Sequence, residues 1–239
     1  MTEVRTALVT GATSGIGRAA AVKLARDGFH VLVHGRDGER GAAVAEEIES
    51  AGGSAEFVAA DLTDIRAVEQ LAAQAGAVDV LVNNAGFSWF GPTADLDSGT
   101  YDAMFDANVR SAYYLTAAIA PKMAERGRGV VINLGSMAGQ IGLEAGAAYS
   151  ATKAALASFT RSWAAEYSPR GVRVNTVAPG PVYTAGSPRE NLTALGKTTL
   201  LSRTAEAEEI GDVIAFLASP AAGYITGAVI PVDGGRTAI

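Results

Sequence analysis

The chain has no cysteine among its 239 residues. Disulfides and thiolate-held metals are excluded, and a reducing compartment is allowed. Histidine is scarce as well, with His30 and His34 alone. Both lie on or beside one apolar run, far along the chain from the residues singled out below. They are read as structural, so no metal site and no Ser-His-Asp triad is expected. Basic charge is not in excess: 19 Lys and Arg face 25 Asp and Glu, the net charge is −6 and the pI is near 5.0. That argues against non-specific nucleic-acid binding. No apolar run reaches the roughly 18 residues that a membrane span needs. The first five residues lack signal-peptide architecture, and without secretion the sequon Asn191-Leu192-Thr193 carries no meaning. The expectation is a cytoplasmic protein with neither membrane nor nucleic acid as partner.

What is present is apolar: 49% hydrophobic against 18% charged residues, the balance of a folded domain with a large core. Short β-branched runs at 5–9, 30–34, 55–59, 78–82, 130–134, 173–177 and 228–232 read as strands buried on both faces. Helical patterns fill 16–26, 40–50, 65–75, 98–125, 147–167 and 206–217. This alternation predicts an α/β fold, a Rossmann-like doubly wound parallel sheet of seven strands with helices on both faces. No linker, repeat or low-complexity segment interrupts it, so residues 1–239 are read as a single domain. Pro179-Gly180-Pro181 opens an irregular stretch to about 203, the expected substrate-loop region and mobile lid.

Glycine marks one end of a site. Gly11, Gly15 and Gly17, with Thr13, Ser14 and Ile16 between them, follow the first strand and open the first helix. Such a turn lets a pyrophosphate approach the helix amino terminus. The spacing Gly-x-x-x-Gly-x-Gly differs from the Gly-x-Gly-x-x-Gly of the standard dinucleotide fingerprint. A carboxylate closing the second strand would select NAD. Gly35 stands there, followed by Arg36, whose guanidinium suits a 2′-phosphate. NADP(H) is therefore expected, with NAD(H) as the alternative; the bland reading makes Arg36 a solvated turn residue and Asp37 a helix N-cap.

The other end is Ser136 with Tyr149 and Lys153. Tyr and Lys four apart share a helix face. A nearby ammonium stabilises a phenolate and is expected to draw the Tyr149 pKa down from about 10 toward working pH. Such a phenol can exchange a proton with a carbonyl oxygen, to which Ser136 offers a second hydrogen bond. Asn108 sits mid-helix, where Asn is a poor helix former.

Taken in order, Thr10-Gly-x-x-x-Gly-x-Gly, Asp61-Leu62, Asn83-Asn84-Ala85-Gly86, Asn108, Ser136, Tyr149-x-x-x-Lys153 and Pro179-Gly180 resemble the short-chain dehydrogenase/reductase family, small single-domain type, over residues 6–235. The resemblance implies that Asp61 and Leu62 contact adenine and that Asn83, Ala85 and Gly86 hold the adenosine side. Pro179, Gly180, Val182 and Thr184 would approach the nicotinamide carboxamide. Tyr149 would be general acid or base, and Lys153 would also bond the nicotinamide ribose. Asn108 would bend its helix and hold a water that relays protons from the lysine. NADP-preferring members often carry a basic residue in the glycine turn, and here Thr13 and Ser14 are neutral. Members are commonly homotetramers, for which the helices 98–125 and 147–167 are the candidate interfaces.

Phe87-Ser88-Trp89-Phe90 suggests an apolar pocket wall, which Leu143, Tyr183, Leu192, Leu195 and Leu200 could close. The expected activity is reduction of an apolar ketone or oxidation of the matching secondary alcohol. The ending Tyr224-Ile225-Thr226-Gly227 and Val232–Gly235 resembles 3-oxoacyl-[acyl-carrier-protein] reductases, the alternative. Arg126, Arg128 and Arg170 would then meet an acidic acyl carrier protein, unless they are solvated charges at helix ends. A non-catalytic dinucleotide sensor would need only the glycine turn. An epimerase-type relative would differ in glycine spacing and carry a larger C-terminal region.

Overall fold

The computed structural model describes residues 4–184 and 188–239. The first three residues, and 185–187 within the expected loop 181–203, lie outside the described residues. Strands β1 (Thr6–Val9), β2 (His30–Gly35), β3 (Ser54–Ala59), β4 (Val80–Asn83), β5 (Gly129–Leu134), β6 (Val172–Pro179) and β7 (Val229–Val232) form one parallel sheet. Their order is β3-β2-β1-β4-β5-β6-β7, the Rossmann-like doubly wound arrangement expected.

Period-two alternation explains why the sheet is covered on both faces. Ala7, Val9, Val31, Val33, Val80, Val82 and Ile132 pack with residues of α1 (Gly15–Arg26), α2 (Gly38–Ser50) and α8 (Ala207–Ala218). Their strand neighbours Leu8, Leu32, Leu81 and Val131 turn the other way, toward α3 (Ile65–Gln74), α5 (Ser111–Glu125) and α6 (Ala147–Tyr167). Each such valine, leucine or isoleucine taken out of water contributes about 1.5–3 kcal/mol before chain entropy is counted. The chain runs outward from β1 to β3, then returns to β4 beside β1. Chain order reverses there, which opens a crevice at the carboxyl ends of the strands.

Two expectations are corrected. The pattern at 98–125 is not one helix: α4 (Ser98–Phe105) and α5 are joined by a π-helical turn, Asp106–Arg110. The stretch after Pro181 is not wholly irregular, because α7 (Arg189–Gly196) lies within it. Pro188 starts α7, Glu190 suits its first turn, and Gly196 is its sole buried residue. A helix with so little buried leaves no apolar periodicity to read. Among the described residues no helix is long and apolar enough to cross a membrane.

Candidate active site

The loops after β1, β2, β3, β4, β5 and β6 all reach the carboxyl edge of the sheet, and the expected site residues lie on them, on the helices beside them or, for Asn83 and Pro179, at the ends of β4 and β6. Gly11, Thr13, Ser14, Gly15, Ile16 and Gly17 make the turn from β1 into α1. The N-cap side chain of Ser14 bonds nothing in the first turn, and no acidic residue stands there. The positive end of the helix dipole is therefore uncompensated, a setting that fits a pyrophosphate. Thr10 clasps this turn to the next loop: its hydroxyl donates to the Val82 carbonyl and accepts from the amides of Asn84 and Ala85. The Asn84 amide donates to the carbonyls of Thr10 and Gly11, at 2.8 and 3.1 Å. His34, buried at the end of β2, accepts from Gly11 N through Nδ1, which leaves Nε2 to donate to the Ala60 carbonyl. Burial pushes its pKa down to about 4, so it is neutral there. Among the described residues no cluster could hold a metal ion.

Arg36 is exposed. The neighbouring carboxylates are occupied: Asp37 N-caps α2 and pairs with Arg40 at 2.7 Å, while Asp61 accepts from the amide and hydroxyl of Thr63. Leu62 packs into the core with Val68 and Leu71. Pro179 ends β6; Gly180 N donates to the Val232 carbonyl, and Val182 bridges to Ala205. Thr184 lies against Gly15 on the rim of a cavity of about 390 Å³, lined also by Arg18, Leu192 and Ala207.

The chemical end brings three elements together. Ser136 follows β5, and Tyr149 and Lys153 sit one turn apart on α6. The Ser136 hydroxyl stands beside the Tyr149 phenol and favours its ionised form. Lys153 is buried; its Nζ donates to the Leu134 carbonyl at 2.8 Å and stands 5.6 Å from the Tyr149 ring centroid. The expected fall in the Tyr149 pKa is corrected by the structure. Burial raises it, and the Ser136 hydroxyl beside it offsets only part of that. Burial acts on the lysine in the same sense, against charge, and lowers its pKa to about 8.

Asn108 is buried in the π turn with both amide hydrogens in use. Nδ2 donates to the Phe87 carbonyl (2.9 Å) and to Thr152 Oγ1 (3.1 Å), and Oδ1 accepts from Phe87 N (2.9 Å). A Cβ on Gly86 would overlap that oxygen, so only glycine admits the clasp. Thr152 in turn donates to the Tyr149 carbonyl at 2.7 Å. The aromatic loop is held at its far end by Gly91 N on the Ala145 carbonyl, and Phe90 meets Tyr149 edge-on with ring centroids 5.5 Å apart. Thr10, Asn84, Leu134 and Thr152 carry no role in the sequence reading; Thr10 and Asn84 stand within the family motifs and Thr152 lies inside Tyr-x-x-x-Lys, which was the signal available.

A Rossmann-like sheet with such a crevice defines the class, a dinucleotide-binding α/β domain. Comparison with known proteins narrows it. The family profile for short chain dehydrogenase matches residues 5–194. Cyclopentanol dehydrogenase of a Comamonas species is 35% identical over 97% of this chain and 96% of its own. A crystal structure provisionally described as a betaketoacyl-ACP reductase shares 45% identity with a TM-score of 0.92, covering 99% of this chain and 100% of that one. A blue fluorescent protein from a metagenomic library, solved in complex with NADPH, shares 35% identity with a TM-score of 0.91 over 97% of both chains. The chain belongs to the short-chain dehydrogenase/reductase family and is an oxidoreductase.

Proposed function

We propose that the protein is an NADP(H)-dependent carbonyl reductase, or alcohol dehydrogenase in the reverse direction, acting on apolar ketones and their secondary alcohols. The observation that carries this reading is Ser136 and Tyr149 side by side next to a buried lysine, at the same sheet edge as an uncompensated helix amino terminus. A substrate oxygen between the two hydroxyls would take a proton from Tyr149, neutral at pH 7, while Ser136 polarises the carbonyl. Oxidation reverses the transfer, with Tyr149 as base. A bound nicotinamide supplies the hydride. Lys153, with its pKa near 8, can return a proton to the phenol at working pH. Both Asn108 amide hydrogens are in use, which leaves the backbone of the π turn to hold a relay water.

The glycine turn would hold the pyrophosphate, Arg36 the 2′-phosphate, and Asp61, Leu62, Asn83, Ala85 and Gly86 the adenosine side. Pro179, Gly180, Val182 and Thr184 would flank the nicotinamide, and Lys153 its ribose. Support for NADP comes from exposed Arg36 and from the NADPH complex of the metagenomic relative. Exposed Phe87 and Phe90 support an apolar substrate, as does the relative named for cyclopentanol. The proposed assembly is a homotetramer, supported by exposed Tyr113 and Tyr114 on α5.

The described betaketoacyl-ACP reductase favours a second reading, reduction of a 3-oxoacyl thioester on acyl carrier protein. Against it, Arg126 donates to the Val78 carbonyl, Arg128 pairs with Asp79, and both precede β5, at the sheet edge opposite Ser136. A screen of NADPH and NADH consumption over ketones, diketones and acetoacetyl thioesters separates the readings. Turnover of cyclic ketones with NADPH is expected. Thioester turnover alone would select the second reading, and tight NADPH binding without turnover of any substrate would select the sensor.

A further inference from the structure

Three residues before each of three site residues, the strands carry a buried polar side chain: Asn83 before Gly86, Asn133 before Ser136, Thr176 before Pro179. They are in register, Asn83 opposite Asn133 and Asn133 opposite Thr176. The Asn83 amide donates to Thr116 Oγ1 on α5 at 3.0 Å and to Asn133 Oδ1 at 2.9 Å. The Asn133 amide donates to Thr160 Oγ1 on α6 at 2.8 Å. Thr160 gives its proton to the Leu156 carbonyl, so the 2.6 Å contact with Thr176 must be donated by Thr176. The Thr160 hydroxyl is thus saturated, and Asn133 and Thr160 are fully buried.

An apolar contact at this level would avoid the cost of burying amides and hydroxyls, but would let a helix slide on the sheet. A hydrogen bond fixes both distance and angle. Thr160 follows Lys153 by seven residues and Tyr149 by eleven, two and three turns along the same face of α6. Asn133 precedes Ser136 by three. On the reading of the site proposed above, we infer that Asn133 and Thr160 are positioning residues: their bond sets the height of Ser136, just past the end of β5, against Tyr149 and Lys153 on α6.

The test compares Thr160→Val, Thr160→Ala, Thr160→Ser and Thr176→Val with the wild type. NADPH affinity, ketone reduction, the primary isotope effect with deuterated NADPH, and crystal structures are measured for each. Thr160→Val should bind NADPH and ketone within about threefold of wild type, lose about tenfold or more in kcat, and show a larger isotope effect. Thr160→Ser should restore kcat to within about threefold, and Thr176→Val, which keeps the Asn133–Thr160 bond, should stay within that range. Thr160→Ala removes the hydroxyl a second way, should Val at 160 not fold. Wild-type kcat in the hydroxyl-free variants, no rescue by Ser, or an equal loss in Thr176→Val would overturn the inference. Crystal structures keep its failure apart from that of the proposed function. An unchanged Ser136–Tyr149 separation in Thr160→Val refutes the positioning role whatever the activity. A lengthened separation with an inert wild type counts against the proposed function alone.

Discussion

Lys153 Nζ donates to the carbonyl of Leu134, 2.8 Å away, the last residue of β5 and two before Ser136. The bond joins α6 to β5 beside the site and holds an ammonium where water is excluded. Burial pushes its pKa down to about 8, whereas the unfolded chain keeps that proton to about 10.4. Between these values the folded protein binds fewer protons, so stability rises with pH; below 8 both states are charged and the full burial cost remains.

Removing the charge should therefore stabilise the protein at neutral pH. Lys153→Met is expected to gain about 1–2 kcal/mol at pH 7, after allowing for the unpaired Leu134 carbonyl, while activity falls by about a hundredfold. Denaturant unfolding at pH 7 and pH 10 checks this. The wild type should gain stability between those values and the variant should not; a variant less stable at pH 7 contradicts the assignment.

His34 gives a second pH dependence, of opposite position. Folding holds its pKa near 4 against 6.5 unfolded because the ring is buried; in its neutral form it accepts from Gly11 N. Its contribution is whole above pH 6.5 and is lost as pH falls toward 4, with a slope of up to about 1.4 kcal/mol per pH unit. His34→Asn should flatten that slope in unfolding curves between pH 7 and 4.5. NADPH affinity should weaken with it, since the Gly11 turn loses its anchor.

Arg36 is the predicted discriminator of cofactors. Arg36→Ser should raise the KM for NADPH by about tenfold or more and leave that for NADH within about twofold. Initial-rate kinetics with both cofactors decide it. An equal effect on the two would remove Arg36 from the phosphate site. A Cβ on Gly35 would meet the Thr13 side chain, so an engineered Asp there should not fit without a smaller residue at 13.

Phe90, 56% exposed yet edge-on to Tyr149, is placed to meet a substrate's apolar body. Phe90→Ala should lower kcat/KM for a cyclic ketone by about tenfold while changing that for acetone by less than about threefold. Equal losses for both substrates would assign Phe90 to the fold instead.

The sheet could be read from the sequence because its strands are apolar on both faces, and the ends of the expected runs moved by no more than a residue or two. The site loops were legible for a related reason: glycine, proline and asparagine leave marks where a backbone turns or approaches a neighbour. The π turn was not, since a change from i+4 to i+5 bonding alters no apolar spacing; Asn108 alone hinted at it. The sign of the Tyr149 shift was lost because spacing reports the neighbouring lysine and not how much water burial removes from the phenol. Asn133 and Thr160 escaped notice because their partners are set by strand register and helix docking, which no local pattern encodes.

In the proposed reaction Tyr149 donates the proton in a hydride-transfer site. The most direct test is ketone-dependent NADPH oxidation by wild type and Tyr149→Phe at equal concentration, with NADPH affinity measured on both. Tyr149→Phe should lose about a hundredfold or more in kcat with NADPH binding unchanged. Turnover at the wild-type rate in Tyr149→Phe would contradict it.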